Sequence, residues 1–427
     1  MPQIQDHPLR YQLANELHAR PFPSMKGPGT VVYLAIKQPS EAVSRDRAQD
    51  LAHLTELLDR HGAPHPQPGA THYSGRIGRH LLKWEQHTEF VTYTAFSDGL
   101  SERAFDPVDF EVFPADWLAQ APGQRITSIT LRVDHRPDDE AAIETALADW
   151  FVPESTAAAR VLDDAAVAAG DFRIDPAGHM RFALFVDRDI GERRIGRIIQ
   201  RLCEVETYKA MSMLGFSRAR ELSGPLGAQD TRLTELMIEM TGGRAPAEDT
   251  LPQLLAISAE LETMAARSAF RFGATGAYEA IVNQRIASLR EERFGGRQTF
   301  ADFMMRRYEP AMRTVKSTEK RLDTLADRAI RAGDLLRTRV DVERSAQNQA
   351  LLASMDQRAA LQLRLQHTVE GLSVVAISYY AVSLAGYALY PLAQATGLGK
   401  GMMTAAITPL VILAVWWAVR SIRKKLE

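Results

Sequence analysis

Two long uncharged stretches near the C-terminus dominate the pattern of hydrophobic and polar positions along the chain. Residues 371–399 and 401–419 contain no charged side chain, and only Lys400 separates them. An α-helix needs roughly 20 apolar residues to cross the hydrocarbon core of a bilayer. The pattern therefore predicts a hairpin of two membrane-spanning helices, near 371–392 and 402–420, joined by a short loop.

The charges around these stretches predict an orientation in the membrane. Basic residues cluster within 420–425, after the second span, and Arg358 and Arg364 precede the first. Because cytoplasmic segments carry an excess of Lys and Arg, both ends of the hairpin are expected in the cytoplasm. Trp416 and Trp417 lie where an aromatic belt would place them, which favours this hairpin over the alternative, a buried hairpin of a soluble protein.

A long helical region is predicted ahead of the membrane. From about Thr250 to His367 the chain is dominated by residues that favour helices, with a break at 294–297. Apolar residues then recur at the heptad-like spacings 7, 3, 7, 3, 4, 7 and 4. These residues are Met305, Met312, Val315, Leu322, Leu325, Ala329, Leu336 and Val340. Since no proline lies between Pro310 and Pro391, one helix can run into the first span, and it needs partners within or between chains.

Residues 1–245 are predicted to form a mixed α/β cytoplasmic domain, because short strand patterns and helix patterns alternate there. The predicted strands are 31–36, 80–83, 89–96, 126–133, 172–174 and 180–186. The predicted helices are 45–60, 138–150 and 190–214. The expected fold class is α+β, followed by a helical, coiled-coil stalk over 246–370, a transmembrane hairpin over 371–420 and a basic cytoplasmic tail over 421–427.

Composition and charge limit the possible functions. The chain has 427 residues, of which 24% are charged, an average that excludes a polytopic transporter and a wholly disordered chain. Its net charge of −2, from 51 basic and 53 acidic residues, gives no electrostatic signature of nucleic-acid binding. The single cysteine, Cys203, excludes an intramolecular disulfide and a cysteine cluster for zinc, and indicates a reducing compartment.

No catalytic motif stands out, and we expect neither enzymatic activity nor a cofactor. The segment 75–78, Gly-Arg-Ile-Gly, lacks the third glycine of the dinucleotide-binding fingerprint. Neither a Walker lysine nor a Gly-x-Ser-x-Gly elbow occurs in the sequence. Cys203 lies in a predicted helix, where a structural thiol is favoured over a nucleophile.

Six of the eleven histidines fall between positions 53 and 87, and clustering of this kind can indicate a metal site. They are His53, His61, His65, His72, His80 and His87. The Gly-Ala-Pro between His61 and His65 excludes a helical pair, and no His-Glu-x-x-His motif occurs. The sequence therefore favours no metal ligand here, and only spatial convergence of these side chains would change that.

The densest polar cluster lies in the segment His7 to Pro23. Leu9, Leu13 and Leu17 recur every four residues and predict one buried helix face. The polar residues fall on the other faces, and they form a candidate ligand or docking cluster. These residues are Arg10, Asn15, Glu16, His18 and Arg20. A Glu-His pair can perform acid-base chemistry or bind an ion, but a docking segment held by salt bridges is the favoured interpretation.

The segment His7 to Pro23 also resembles the opening of a bacterial family of membrane-anchored proteins that has no assigned function. The resemblance extends over the whole chain. It implies a location in the bacterial inner membrane and brings no activity with it.

A second resemblance is one of layout. A mixed cytoplasmic domain, a helical stalk, two C-terminal spans and a basic tail are similar to the CorA-type magnesium channel superfamily. That resemblance implies a pentamer, a divalent cation as the transported ion, and a pore lined by the first span. Residues 383–387, Ser-Leu-Ala-Gly-Tyr, resemble the approach to the Gly-Met-Asn filter, but the chain then reads Leu-Tyr-Pro. The pore-lining candidates are Thr368, Ser378, Ser383, Tyr387, Leu389, Tyr390 and Pro391.

Three functions from different classes remain open. A membrane-anchored scaffold or sensor, acting as a homo-oligomer, leads because it requires the fewest special residues. An oligomeric ion channel is the main alternative, although neither span contains a carboxylate for a cation relay. A membrane-tethered enzyme is the third, and it requires a cleft with converging ionisable groups.

Overall fold

The computed structural model describes residues 4–11, 22–39, 45–242, 247–392 and 399–426. These residues form two compact units. The first is built from residues up to 242 together with 252–332, and the second from 247–251 and 333–426. The predicted fold class is confirmed, since the chain has a mixed α/β domain, long helices and two apolar C-terminal helices.

The described elements are nine strands and eight α-helices. The strands are β1 (Gly29–Lys37), β2 (His72–Ile77), β3 (His80–Gln86), β4 (Phe90–Asp98), β5 (Gln124–His135), β6 (Ala157–Val161), β7 (Ala166–Ile174), β8 (Met180–Val186) and β9 (Glu292–Arg293). The helices are α1 (Arg47–Arg60), α2 (Ala115–Leu118), α3 (Glu140–Trp150), α4 (Glu192–Thr241), α5 (Ala247–Leu289), α6 (Phe300–Arg307), α7 (Glu309–Ala388) and α8 (Lys400–Leu426).

All nine strands belong to one sheet, in the order β2-β3-β4-β1-β5-β8-β7-β6-β9. Neighbouring strands are antiparallel except β5 and β8, which pair in parallel. Every residue of β1 is buried, so both faces of the sheet are covered at its centre. Because side chains alternate along a strand, Val32 and Leu34 face one layer of helices and Tyr33 faces the other.

One layer consists of α1 and α2, packed over β1, β3 and β4. Helix α1 begins after Asp46, whose carboxylate accepts a hydrogen bond from the backbone N–H of Ala48, as an N-cap residue does. Its apolar stripe is fully buried against the rings of Trp84 and Trp117. The members of that stripe are Leu54, Leu57 and Leu58.

The strands β6 and β7 were not expected from the sequence, apart from the end of β7. They are rich in alanine, a residue that is depleted in strands and gives no strand signal. Helix α3 covers this end of the sheet with Ile143 and Leu147. Position 170 requires glycine because the ring of Phe182 packs directly against its backbone, and an added Cβ would lie 2.5 Å from that ring.

Helix α4 covers the opposite face of the sheet and runs further than predicted. The sequence predicted an end at Leu214, whereas the helix continues to Thr241 with Pro225 inside it. The apolar stripe continues past the proline, with Leu226 and Leu233 buried, and this packing explains the extension.

The heptad-like face packs inside the first unit only from Met312 to Ala329, since Met305 lies on α6 and is 60% exposed, and Leu336 and Val340 belong to the second unit. Met312, Val315 and Leu322 are each no more than 3% exposed. Two ion pairs attach this part of α7 to its neighbours, Arg328 with Asp230 of α4 (3.0 Å) and Lys316 with Glu279 of α5 (2.7 Å). A helix as long as α7 was expected to need packing partners. Up to residue 332, helices α4 and α5 of the same chain provide them.

The second unit contains the remainder of α7 and helix α8. The helix α7 is continuous over 80 residues and ends at Ala388, as the absence of proline predicted. Its C-terminal part and α8 are both long and apolar enough to cross a membrane. These segments coincide with the two predicted spans.

Within the first core, His53 connects α1 to its neighbours. Its Nε2 lies 3.1 Å from the carbonyl oxygen of Trp117, and its Nδ1 lies 2.9 Å from the hydroxyl of Tyr93. Because a carbonyl can only accept, Nε2 carries the proton and Nδ1 accepts from the tyrosine. Burial lowers the pKa of His53 and favours this neutral form.

We expect His53 to make folding sensitive to acid. Since its pKa is lower in the folded protein, the unfolded chain binds a proton that the folded chain rejects as pH falls through about 6.5. Stability should therefore decrease from pH 7.5 to 5.5, by up to about 1.4 kcal/mol per pH unit from this group. The melting temperature of His53→Gln, followed by tryptophan fluorescence, should fall less steeply with acidification than that of the unsubstituted protein.

The matched control is His72→Gln, because His72 is an exposed histidine outside the core. This variant should keep the original pH dependence. Parallel curves for His53→Gln and the unsubstituted protein would contradict the assignment.

Candidate functional site

The predicted N-terminal cluster falls mostly outside the described residues. Asn15, Glu16, His18 and Arg20 all lie in the part of the chain that the structure leaves undescribed. Arg10 is exposed and forms an ion pair with Asp6, four residues earlier. The docking role of this cluster stays a prediction.

The clustered histidines do not converge on one site, although His61 lies close enough to His80 for its charge to act, after burial and Arg79, in lowering the pKa of His80. His53 is buried in the core, His65 bonds to Asp59, and the Nδ1 of His80 lies 2.6 Å from the hydroxyl of Ser97. His87 stacks on Phe90 with ring centroids 4.4 Å apart. Among the described residues, no group of three His, Cys, Asp or Glu side chains is placed to hold a metal ion.

The candidate pore residues do not share one side of α7. Ser378 is only 6% exposed and lies in a crevice with Thr408 of α8, whereas Tyr387 is 75% exposed. Nine residues separate them, which is a rotation of about 180° around a helix. Ser383 and Thr368 donate their hydroxyl hydrogens to backbone carbonyls one turn earlier.

The segment where a filter motif would fall begins just after α7. The helix ends at Ala388, and the N–H of Leu389 donates to the carbonyl of Ala385 at 3.0 Å. The interruption at Leu389 lies two residues ahead of Pro391, which has no N–H to donate and therefore breaks the ladder of a continuous helix. A pore-lining role for these residues and for the hydroxyls stays a prediction.

A buried polar surface lies on the sheet beneath α4, and we call it the polar face. On β1, β3 and β4 the residues that alternate with the apolar core point towards this helix. The polar face consists of Tyr33, Lys83, Glu85, Thr92 and Thr94. Sequence reasoning missed it, although the polar positions within buried strands gave a visible signal.

Hydrogen bonds connect the polar face to α4. The ammonium of Lys83 lies 3.0 Å from the carboxylate of Glu85 and donates to the side-chain oxygen of Gln200 at 3.2 Å. Gln200 in turn donates to Glu204 at 2.7 Å, and Arg285 of α5 forms an ion pair with the same carboxylate. The charged groups of this network are therefore paired with one another.

The hydroxyls and the thiol of this region form a second set of contacts. The hydroxyl oxygens of Tyr33 and Thr207 lie 2.8 Å apart, and Thr207 donates to the carbonyl of Cys203 at 2.9 Å. Burial raises the pKa of both Tyr33 and Cys203, so each stays protonated at neutral pH. The adjoining cavity has a volume of about 30 Å³, which is room for a few water molecules.

This arrangement favours a structural role for the polar face. A nucleophile requires a lowered pKa or an adjacent base, and the thiol of Cys203 has a raised one. Its neighbour Lys83 is engaged with Glu85 and Gln200. These polar contacts join β1 and β3 to α4, through Tyr33 with Thr207 and Lys83 with Gln200.

A buried ion pair fastens α5 beside the sheet. The carboxylate of Glu89, which is 1% exposed, accepts hydrogen bonds from Arg271 at 2.6 and 3.4 Å and from the hydroxyl of Tyr278 at 2.7 Å. Nearby, Arg45 pairs with Asp50 at 2.9 Å. Burial raises the pKa of Asp50, with hydrogen bonding from Gln86 acting in the opposite direction. Sequence patterns did not predict these pairs, because their partners are far apart in the chain.

We expect the thiol of Cys203 to be unreactive in the folded protein. It is buried and its pKa is raised, so almost no thiolate is present or accessible at pH 8. Titration with a disulfide-exchange reagent should release no chromophore from the native protein and one equivalent after denaturation. Since the chain has a single cysteine, the denatured sample is its own control. Rapid reaction of the native protein would contradict the buried, protonated thiol.

Comparison with known proteins identifies one family. The family described as "Protein of unknown function (DUF3422)" matches residues 5–426 of the chain. No curated protein matches the sequence. The match confirms the resemblance to a family without an assigned function, whereas the resemblance to CorA-type channels stays a prediction.

Proposed function

We propose a function for this chain, which belongs to the DUF3422 family, as a membrane-anchored scaffold or sensor that assembles with copies of itself. The observation that carries the proposal is the pair of apolar helical segments at the C-terminal end. Large apolar side chains there are left in contact with solvent, which is costly in water and favourable in a bilayer. Examples are Leu372, Val375, Leu384, Leu410 and Trp417, each at least 66% exposed.

The flanking charges support an orientation with both ends in the cytoplasm of a bacterial cell. Basic residues cluster at 420–425, and only Lys400 lies between the spans. The guanidinium of Arg420 lies 4.8 Å from the ring centroid of Trp416, an arrangement suited to the interface between membrane and water.

The interior of the first unit supports a role without catalysis. The charged groups of the polar face are paired with one another, including Lys83 and Glu85, which also line an open pocket of about 690 Å³. A substrate-sized cleft that brings a base next to a nucleophile is what an enzyme would require. Binding and positioning therefore fit this interior better than chemistry does.

The helix α7 supports self-association ahead of the membrane. From 348 to 369 every described side chain is exposed, and Leu351, Met355, Leu365 and Val369 are between 54% and 69% exposed. At about 100° per residue these four lie within an arc of about 80°. We call them the apolar stripe. Copies anchored in one membrane carry this stripe at the same distance from the first span, so a second copy is its proposed occupant.

The membrane topology is testable with single-cysteine variants. In a Cys203→Ala background, we expect an impermeant maleimide to label Lys400→Cys but not Ser421→Cys in intact cells. Both variants should stay in the membrane fraction after alkaline carbonate extraction. Release by carbonate would contradict the membrane anchor. Labelling of Ser421→Cys alone would indicate the opposite orientation.

Self-association is testable by substitution of the apolar stripe. Changing its four residues to Gln should convert the detergent-solubilised oligomer into a monomer, measured as mass by light scattering or native mass spectrometry. The matched control changes four exposed apolar residues on the other side of α7. These are Val342, Ala346, Ala353 and Ala360. This control should stay oligomeric, and a monomeric unsubstituted protein would overturn the proposal.

A further inference from the structure

The first unit contains a large open pocket at the junction of two strands and two helices. It lies where β1 ends and β5 begins, between α4 and α5, and has a volume of about 760 Å³. This is within the range of small-molecule sites. Neither the proposed scaffold role nor the polar face accounts for it.

The lining of this pocket is strongly cationic. Its basic residues are Lys37, Arg125, Arg218, Arg267 and Arg271. Glu221 is the one acidic residue among the lining residues described. The chain as a whole carries a net charge of −2, so this concentration of positive charge is a local feature.

Lys37 is the most unusual of these cations because it is 6% exposed at the end of a buried strand. Its ammonium donates to the carbonyl of Gln38 at 2.7 Å, which uses one of its three hydrogens. Burial lowers the pKa of Lys37 and the charge of Arg271 lowers it further, whereas the carboxylate of Glu89, which pairs with Arg271, acts in the opposite direction. Additional negative charge in the pocket would stabilise the buried ammonium further.

The guanidinium groups have unequal partners. Arg271 is paired with Glu89, and Arg218 donates to Ser268 and lies 3.1 Å from Glu221. Within the described part of the chain, Arg125 and Arg267 have neither a hydrogen bond nor an ion pair, and both are exposed. Two cations are therefore free to rotate onto a ligand.

The fold holds these like charges together at an energetic cost. Arg267 and Arg271 are one helical turn apart on α5, a spacing at which like charges repel. The β1–β5 register pairs Ile36 with Arg125, which brings the ends of both strands to the pocket. Gly123 permits this approach, since an added Cβ would lie 2.8 Å from the backbone of Lys37. Repulsion retained in this way is typical of a site that binds a counter-charge.

We propose that this pocket binds a small ligand with at least two phosphate charges, either a soluble phosphorylated molecule or the headgroup of an anionic lipid. Guanidinium groups bind phosphate through pairs of parallel hydrogen bonds, and a lysine adds a compact charge. Arg271 and Arg218 already have carboxylate partners in Glu89 and Glu221, so the cations left over are Lys37, Arg125 and Arg267, which is more positive charge than one chloride or carboxylate balances. The pocket is a local concavity rather than the extended basic stripe that nucleic acid requires.

The test uses the full chain in nanodiscs of neutral phosphatidylcholine, with pyrophosphate as the probe in isothermal titration calorimetry. We expect saturable binding that weakens at least tenfold in the double variant Arg125→Gln/Arg267→Gln. Both residues are exposed, so the substitutions leave the core intact. Pyrophosphate should also raise the melting temperature of the unsubstituted protein and not that of the double variant.

The matched control is Arg103→Gln/Arg232→Gln, which removes the same charge from two exposed arginines outside the pocket. It should bind pyrophosphate within twofold of the unsubstituted protein. Nanodiscs that contain cardiolipin distinguish the two sources of the ligand. Loss of pyrophosphate binding there assigns the pocket to a lipid headgroup, and unchanged binding assigns it to a soluble ligand. Absence of binding in neutral nanodiscs, or equal weakening in both double variants, would overturn the proposal.

Discussion

The contact between α4 and the sheet is the constraint on which the rest of the first unit depends. Strands at the centre of the sheet are buried on both faces, so the polar side chains beneath α4 are largely removed from bulk water. A buried polar group without a partner costs free energy, and the network from Lys83 to Arg285 removes that cost. The same network therefore fixes the position of α4 on the sheet and the position of α5 beside α4.

The strands with β-branched and aromatic residues were predictable, because 31–36 and 89–96 carry the usual strand signals. The alanine-rich strands were not, since alanine favours helices and these strands form only by packing between neighbours. The end of α4 was also misjudged, because burial of Leu226 and Leu233 outweighs the proline between the two halves of the helix.

The sites were less predictable than the fold. Uncharged length alone identified the two apolar helices, since a span is a property of consecutive residues. Glu89 and Arg271 are 182 residues apart in the sequence, so no local sequence pattern predicts their ion pair. Lys37 closes an apolar strand in the sequence, yet its importance depends on arginines contributed by α4 and α5. Contacts that form only in the tertiary structure cannot be predicted from the periodicity of residues along the chain.

The environment of Cys203, the single cysteine of the chain, determines how this thiol can react. A lone cysteine indicated a reducing compartment, but this thiol is enclosed and held in its protonated form. Oxidants, electrophiles and exchange partners act on thiolates that they can reach. In the folded protein Cys203 is thus protected from redox chemistry, and unfolding is required before this thiol can respond to an oxidant or an electrophile.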